Sequence, residues 1–368
     1  MTLFRMFATL AFSASVLSAC GPQDPGTDVS RQDLKSGGWT DNNSNQAFGG
    51  EIAGQTVTGL FYVAPPPNST ATGWWVSTAT NNQYAPVVWL KDGTKNVTAL
   101  SSTQGGLVVQ TPGTTSRLLQ GTSLNFQMEV GAPLNALVRI TSSQIDGTYT
   151  TYTKYVTEWA PLNSTDWSSF CPHPYTDNTG LTNLPEYMIP VGGANWSLDG
   201  SRNNNPNAIQ LSCTHDSVGG CIRWGYAPWG FAQNPDGTVS SQPLEHTHQA
   251  CTRMKRADFC GTGDPTTTVN ASTFEHTTIQ LWDKHDRYSE GDQTGDSMEA
   301  HWGVNGAVCV NPAQFRTTDD EKVRRMEIQL SLCPKPACTD TKSGSVNGFV
   351  SSARPITADS DPGANSIN

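Results

Sequence analysis

HQACTRMKRADFCGTG, His248 to Gly263, puts two cysteines, four cationic side chains and one acid into sixteen residues. Read as an active site, it would offer Cys251 as a thiolate, with His246 and His248 before it and Arg253 and Lys255 after it to lower its pKa. Read as a staple, it is a helix cross-linked at both ends. Leu244 to Phe259 contains no Pro or Gly, and Leu244, Ala250, Cys251, Met254 and Ala257 mark one helical side. Gly261 is placed to end that helix. On a continuous helix, Cys251 and Cys260 lie roughly 13 Å apart at Cα. A disulfide spans at most about 7 Å, so each cysteine must reach a different part of the protein.

The remaining cysteines favour the staple. Of nine, Cys20 stands alone and eight follow residue 170: Cys171, Cys213, Cys221, Cys251, Cys260, Cys309, Cys333 and Cys338. An even set in an oxidising compartment reads as disulfides, here up to four. Cys333 and Cys338 bracket PKPA as a local pair, and Cys213 with Cys221 would close the THDSVGG turn. That leaves Cys171 and Cys309 for Cys251 and Cys260, in either order.

The compartment follows from the N-terminus. MTLFRMFATLAFSASVLSAC has a charged Arg5 and an apolar run, Met6 to Leu17, too short to span a bilayer as a mature helix. Leu17-Ser18-Ala19-Cys20 resembles a bacterial lipobox, which makes residues 1–19 a lipoprotein signal peptide and Cys20 the lipidated mature N-terminus. Acyl chains on Cys20 would anchor the chain to a membrane without a transmembrane helix. Gly21, where an inner-membrane retention signal would place Asp, favours the outer membrane. Residues 20–37 are polar and rich in Gly and Pro, a flexible tether.

Residues 38–157 read as a β-rich, sandwich-like module. Short runs such as VTGLFYV, APVVWL, GGLVVQT and NALVRIT are separated by turn signals, and Lys91-Asp92-Gly93-Thr94 is a turn. Residues 158–342, which carry all eight later cysteines, form a second, disulfide-bonded α+β unit with one main helix. TTDDEKVRR (317–325) is a shorter helix and MEIQLSLC (326–333) alternates as a strand. Residues 343–368 are small and polar and read as a disordered tail. The fold class is therefore β-rich, α+β.

LSC…GGCIRWGYAPWGF, HQACTRMKRADFCGTG, IQLWD and AHWGVNGAVCV, with Leu119-Gln120-Gly121-Thr122 and FCPHP upstream, resemble the ADYC domain, a bacterial exported family named for an Ala-Asp-Tyr-Cys motif. Here the motif is Ala257-Asp258-Phe259-Cys260, and the likeness runs from about Leu118 to Cys338. The resemblance implies export and carries no assigned activity. Phe259 in place of Tyr removes the phenol, which makes packing the expected role of that position.

Other candidate chemistry is sparse. Glu245-His246-Thr247-His248 could bring two imidazoles to one face of a strand but not of a helix, with the DKHD stretch from Asp283 to Asp286 and His301 to complete a site. No zinc-protease signature is present, and no metal or cofactor is expected. Asp283, Glu290, Asp292, Asp296 and Glu299 form an acidic group that reads as a solvated loop or a loose cation site before an acid pair for glycoside hydrolysis. Trp74, Trp75, Trp224, Tyr226, Trp229 and Phe231 read as core before sugar-stacking platform. Arg253 and Arg256 either bind an anion or pair with Asp258. A net charge of −10 argues against nucleic acid. The expectation is a lipid-anchored envelope protein that binds a cell-surface glycan or protein, with an envelope hydrolase acting on polysaccharide or peptide as the alternative.

Overall fold

Phe126-Gln127-Met128-Glu129-Val130 alternates strictly, and the computed structural model buries Phe126, Met128 and Val130 while Gln127 and Glu129 stay half-exposed. A one-residue slip would turn this whole set outward, so the alternation fixes the register. The structure describes residues 49–63, 72–78, 84–146, 151–171, 187–197, 200–214, 216–233, 238–263, 280–283, 298–315, 320–338 and 350–353. The expected signal peptide with Cys20, the tether, the tail beyond 353 and the acidic stretch of Glu290, Asp292 and Asp296 lie outside them.

Among the described residues, fourteen strands precede the first helix: β1 (Gly50–Ile52), β2 (Gln55–Val63), β3 (Thr72–Thr78), β4 (Tyr84–Asp92), β5 (Lys95–Asn96), β6 (Ala99–Thr103), β7 (Gly106–Gln110), β8 (Arg117–Leu118), β9 (Phe126–Val130), β10 (Ala136–Asp146), β11 (Tyr152–Pro161), β12 (Ser168–Ser169), β13 (Met188–Trp196) and β14 (Arg202–Cys213). The large sheet runs β2-β14-β13-β11-β10-β9-β4-β3, and β3 pairs back to β2. The sheet therefore closes into an eight-stranded antiparallel barrel, which leaves no open edge along its circumference. The β4–β5 connection turns at Gly93, whose φ is 63°, as Lys91-Asp92-Gly93-Thr94 requires.

The barrel is filled. Leu60, Val76, Leu90, Met128, Val138, Ile140 and Leu211 belong to one buried cluster that also takes Leu107, Val109 and Leu119 from the three-stranded β6-β7-β8 insert. The void left inside is about 20 Å3, room for about one water and no organic ligand. Tyr155 on β11 ties the insert to the barrel wall. Its buried hydroxyl accepts from Leu107 N–H (2.8 Å) and donates to the Leu119 carbonyl (2.9 Å). Burial pushes that phenol up to about 12, against the Leu107 hydrogen bond.

The compositional change at residue 157 falls inside β11, and β13 and β14 from beyond it complete the barrel. Cysteine distribution thus marks where cross-links occur, not where the sheet ends. β13 is buried on both faces: Met188 enters the barrel core, while Ile189, Val191, Ala194 and Trp196 form an outer cluster with Val218, Ile222 and Ala227. That outer cluster seats helix α1 (Ser217–Arg223) on the barrel.

Beyond α1 come β15 (Phe231–Gln233), β16 (Val239–Pro243), α2 (Glu245–Arg256), β17 (Gln280–Asp283), β18 (Met298–Gly303), β19 (Gly306–Val310), α3 (Asp320–Leu332) and β20 (Val350–Ala353). The last four strands order as β17-β20-β18-β19. A second core joins α1, α2, α3 and this sheet through Cys221, Met254, Phe259, Trp302, Phe315 and Met326. MEIQLSL, expected as a strand, continues α3. Nothing between Arg325 and Met326 breaks the helix, and helical spacing buries Met326 and Gln329 while leaving Ile328 and Leu332 exposed.

Four disulfides form within residues 171–338, but none of the expected pairings does. The bonds are Cys171–Cys213, Cys221–Cys251, Cys260–Cys333 and Cys309–Cys338. THDSVGG is not a hairpin turn: Asp216 caps α1, its Oδ1 accepting from Gly219 N–H at 2.6 Å, so Cys221 rides on a helix while Cys213 ends a strand. PKPA is extended beside β19, with Val310 and Ala337 bridged in parallel, which carries Cys338 away from Cys333 to Cys309. As expected, Cys251 and Cys260 do not bond to each other. Closing 29 to 73 residues, each bridge contributes on the order of 4 kcal/mol in the chain-entropy model.

Tyr155→Phe should destabilise the chain by about 1–3 kcal/mol, because it strands the Leu107 N–H and Leu119 carbonyl in a dry interior. Urea unfolding reads this directly. A loss below roughly 0.5 kcal/mol would show that the insert is held by other contacts.

Candidate functional site

Helix α2 begins at Glu245, and its first turn decides the fate of the two histidines. Two positions apart on a helix is about 200° of rotation, so His246 is exposed while His248 is fully buried. His248 Nε2 lies 3.1 Å from the Val218 carbonyl, which only accepts, so the neutral ring carries its hydrogen there. Burial holds its pKa down at about 3, against the Val218 hydrogen bond and with the Arg202 charge. Gln249, one residue on, accepts from Trp196 Nε1 (3.0 Å) and donates to the Gly200 carbonyl (2.7 Å). These bonds fix α2 to the end of the β13–β14 hairpin.

The helix ends at the family motif. Ala257, four residues before Gly261, caps the helix in the left-handed conformation (φ 49°, ψ 42°), and Gly261, itself at φ 71°, lies in the loop beyond. Ala257 N–H bonds the Met254 carbonyl and Asp258 N–H the Arg253 carbonyl, both at 3.0 Å. This is the Schellman pattern, in which the residue two past the helix packs on the one that closes its last turn. Here that contact is ionic: Arg253 Nη1 and Asp258 Oδ2 are 2.5 Å apart with side chains 2% and 0% exposed. Asp258 also accepts from the N–H groups of Thr262 and Gly263 (3.0 Å each), while Arg253 donates to the Val304 carbonyl (3.2 Å) and Ser201 Oγ (3.1 Å). Gly200, at φ +72°, makes room, since a Cβ there would sit 2.6 Å from Arg253 Nη1.

Phe259 is buried against Trp302 (4.9 Å) and Phe315 (5.6 Å), as its packing role requires. Its N–H donates to Gln329 Oε1 (3.0 Å), and next to it Cys260 bonds to Cys333 at the end of α3. On the other side of α2, Cys251 bonds to Cys221 on α1, and Lys255 Nζ donates to the Asp216 carbonyl (2.8 Å). Gly220 permits that approach, as a Cβ there would lie 2.1 Å from Lys255 Nζ. The quoted stretch is thus a staple, its two thiols spent in disulfides and its Arg253 paired with Asp258.

Beside the first turn of α2 opens a cleft of about 230 Å3, lined by Ser201, Arg202, Asn204, Glu245, His246, Gln249, Val304 and Asn305. Arg202, its most buried charge, pairs with Glu245 and donates to Asn204 Oδ1. Burial lowers the pKa of Arg202 while the Glu245 carboxylate raises it. Arg202 Nε is buried with no protein acceptor.

The expected candidates do not converge elsewhere among the described residues, where no three His, Cys, Asp or Glu side chains come together as a metal site. His301 and Glu299 are buried in β18. Asp286 lies outside the described residues, as does the side chain of Asp283. Trp224 and Tyr226 are core, Trp229 packs on the barrel-side cluster, and Phe231 is exposed. Trp74 and Trp75 are half-buried on the barrel, with Trp74 against Tyr62 at 5.2 Å. Arg202, Asn204 and Asn305 carry no recognisable motif. The Asn203-Asn204-Asn205-Pro206-Asn207 run was the available signal, since amides concentrated in a strand serve hydrogen bonding better than packing.

Asp258→Asn should cost roughly 3–5 kcal/mol by leaving the Arg253 charge buried and unpaired, and chemical unfolding measures it. A loss near zero would show that Arg253 is solvated. His248 yields a pH dependence. Folded His248 stays neutral until about pH 3, whereas the unfolded residue takes up a proton near 6.5. The unfolded state therefore binds more protons between those values, and stability falls as pH drops through that window. His248→Gln, which keeps a donor for Val218, should flatten the decline in melting temperature below pH 6. Superimposable pH profiles would mean that the ring is protonated without penalty.

Neither the curated proteins nor the solved structures contain a match to this chain. The model of the ADYC domain matches residues 117–316, from β8 through the Ala257–Cys260 junction to the end of the segment after β19. That is 200 of 368 residues, more than half. The matched region therefore includes the staple and every lining residue of the cleft, and the chain belongs to the ADYC domain family.

Proposed function

We propose that this ADYC protein is an exported, lipid-anchored protein of the cell envelope, attached through Cys20 to the outer membrane, that works by binding a surface ligand. The observation that carries the reading is the complete pairing of Cys171, Cys213, Cys221, Cys251, Cys260, Cys309, Cys333 and Cys338. Four buried or half-buried bridges belong to an oxidising compartment, which agrees with the export signal and lipobox read at the N-terminus. Binding is favoured over catalysis because the reactive groups of the motif region serve the fold: thiols as bridges, Arg253 and Asp258 as a pair, His248 as a buried neutral ring. What faces solvent next to them is a hydrogen-bonding cleft on a braced frame.

Metabolic labelling with a fatty-acid probe tests the anchor. The full chain should incorporate label and sediment with membranes, and Cys20→Ala should lose both. Labelling that persists in Cys20→Ala would sink the anchor. For the binding mode, the detergent-solubilised full chain is screened on a glycan array and against envelope proteins. Retention of a ligand without its breakdown supports binding, whereas turnover of polysaccharide or peptide would establish the hydrolase instead.

A further inference from the structure

The cleft beside α2 has a lining that selects among ligands. Its central charges cancel, since Arg202 is ion-paired to Glu245. An anion drawn to the guanidinium would meet the Glu245 carboxylate, and a cation drawn to Glu245 would meet Arg202. An apolar body would cover Asn204, Glu245 and Asn305 without offering them hydrogen-bond partners, which disfavours it. A neutral molecule dense in hydroxyls avoids all three penalties, because each hydroxyl both donates and accepts. The lining matches that property: carboxylate and amide oxygens accept, and amide and guanidinium N–H groups donate.

Size narrows the class. At about 230 Å3 the cleft is smaller than the roughly 300 Å3 at which pockets for drug-sized ligands begin. It takes one small ring and not an extended chain. Three separated segments supply the lining, at the start of β14, the first turn of α2 and the β18–β19 turn. Such a convergence of side chains surrounds a compact ligand, whereas an extended peptide is held along a backbone edge.

Resting on the binding role above, we propose that this cleft holds a single neutral sugar ring, the end unit of a surface glycan. Arg202 and Glu245 bracket adjacent hydroxyls, and Asn204, His246 and Asn305 complete the hydrogen-bonding rim. Among the described residues no Trp, Tyr or Phe lines the cleft, so hydroxyl recognition acts without ring stacking from them and one ring binds weakly. Array-borne or polymeric glycan would gain by presenting several copies.

Saturation-transfer NMR on the full chain in detergent micelles tests this with methyl glucoside, galactoside and mannoside, beside glucuronate and glucosamine as charged counterparts. At least one neutral hexoside should bind, and its charged counterparts should bind about tenfold more weakly. Asn204→Ala and Asn305→Ala, both at exposed positions, should each weaken the hexoside up to about tenfold, the worth of one ligand hydrogen bond, with melting temperature unchanged. Glu245→Gln uncovers the Arg202 charge and should reverse the preference toward glucuronate. Three results overturn the assignment: a wild-type preference for either charged sugar, hexoside binding indifferent to all three variants, or no hexoside binding. If a ligand found with the whole chain binds the Asn204→Ala and Asn305→Ala variants normally, the sugar cleft falls and the binding role stands. If no ligand of any class is retained, both fall.

Discussion

The buried pair between Arg253 and Asp258 is the constraint on which the C-terminal half turns. Two charges removed from water are tolerable only when their remaining hydrogen-bonding capacity is met inside the protein. Here it is met from several directions. Thr262 and Gly263 supply N–H groups to the carboxylate, and Val304 and Ser201 supply acceptors to the guanidinium. These partners come from three segments, so satisfying the pair brings together the helix end, the loop after it, the β18–β19 turn and the approach to β14. A hydrophobic contact at the same place would have been indifferent to which segments came close.

The motif residues follow from that junction. Ala257 reverses the chain so that Asp258 returns to Arg253, Phe259 then enters the core against Trp302 and Phe315, and Cys260 anchors α3 through Cys333. Four consecutive residues thus perform a turn, a charge closure, a packing contact and a cross-link. The ring at position 259 needs shape more than polarity, since its surroundings are aromatic. That accounts for Phe serving where the family name has Tyr.

How much of this could be read in the sequence depends on the range of the interaction involved. Alternation in FQMEV, the short apolar run VTGLFYV, the Gly93 turn and the breaker-free run from Leu244 are local, and the structure follows them. Disulfide partners are set by where elements dock, so Cys333 and Cys338, five apart, part company as soon as the chain between them is laid out along β19. MEIQLSL fits both a period of two and a helix, and the decision rests on α3 already running into it. The cleft was least legible, because Arg202, Glu245 and Asn305 come from three distant segments and none carries a motif.

The staple and the cleft are one construction seen from two sides. Gln249 holds Trp196 and the Gly200 carbonyl, and Arg253 holds Ser201 and Val304, so the bonds that close the core also position the walls of the cleft. Ser201 and Val304 are both lining residues. A site whose partners are already fixed gives up little conformational entropy when a ligand arrives, which matters most where each contact is a modest hydrogen bond. Gly200 is the hinge of this economy: its left-handed backbone and lack of Cβ let the hairpin approach both Arg253 and Arg256 closely. A side chain there would push the β14 end outward, separating Arg202 from Glu245 and loosening the Arg253 contacts together.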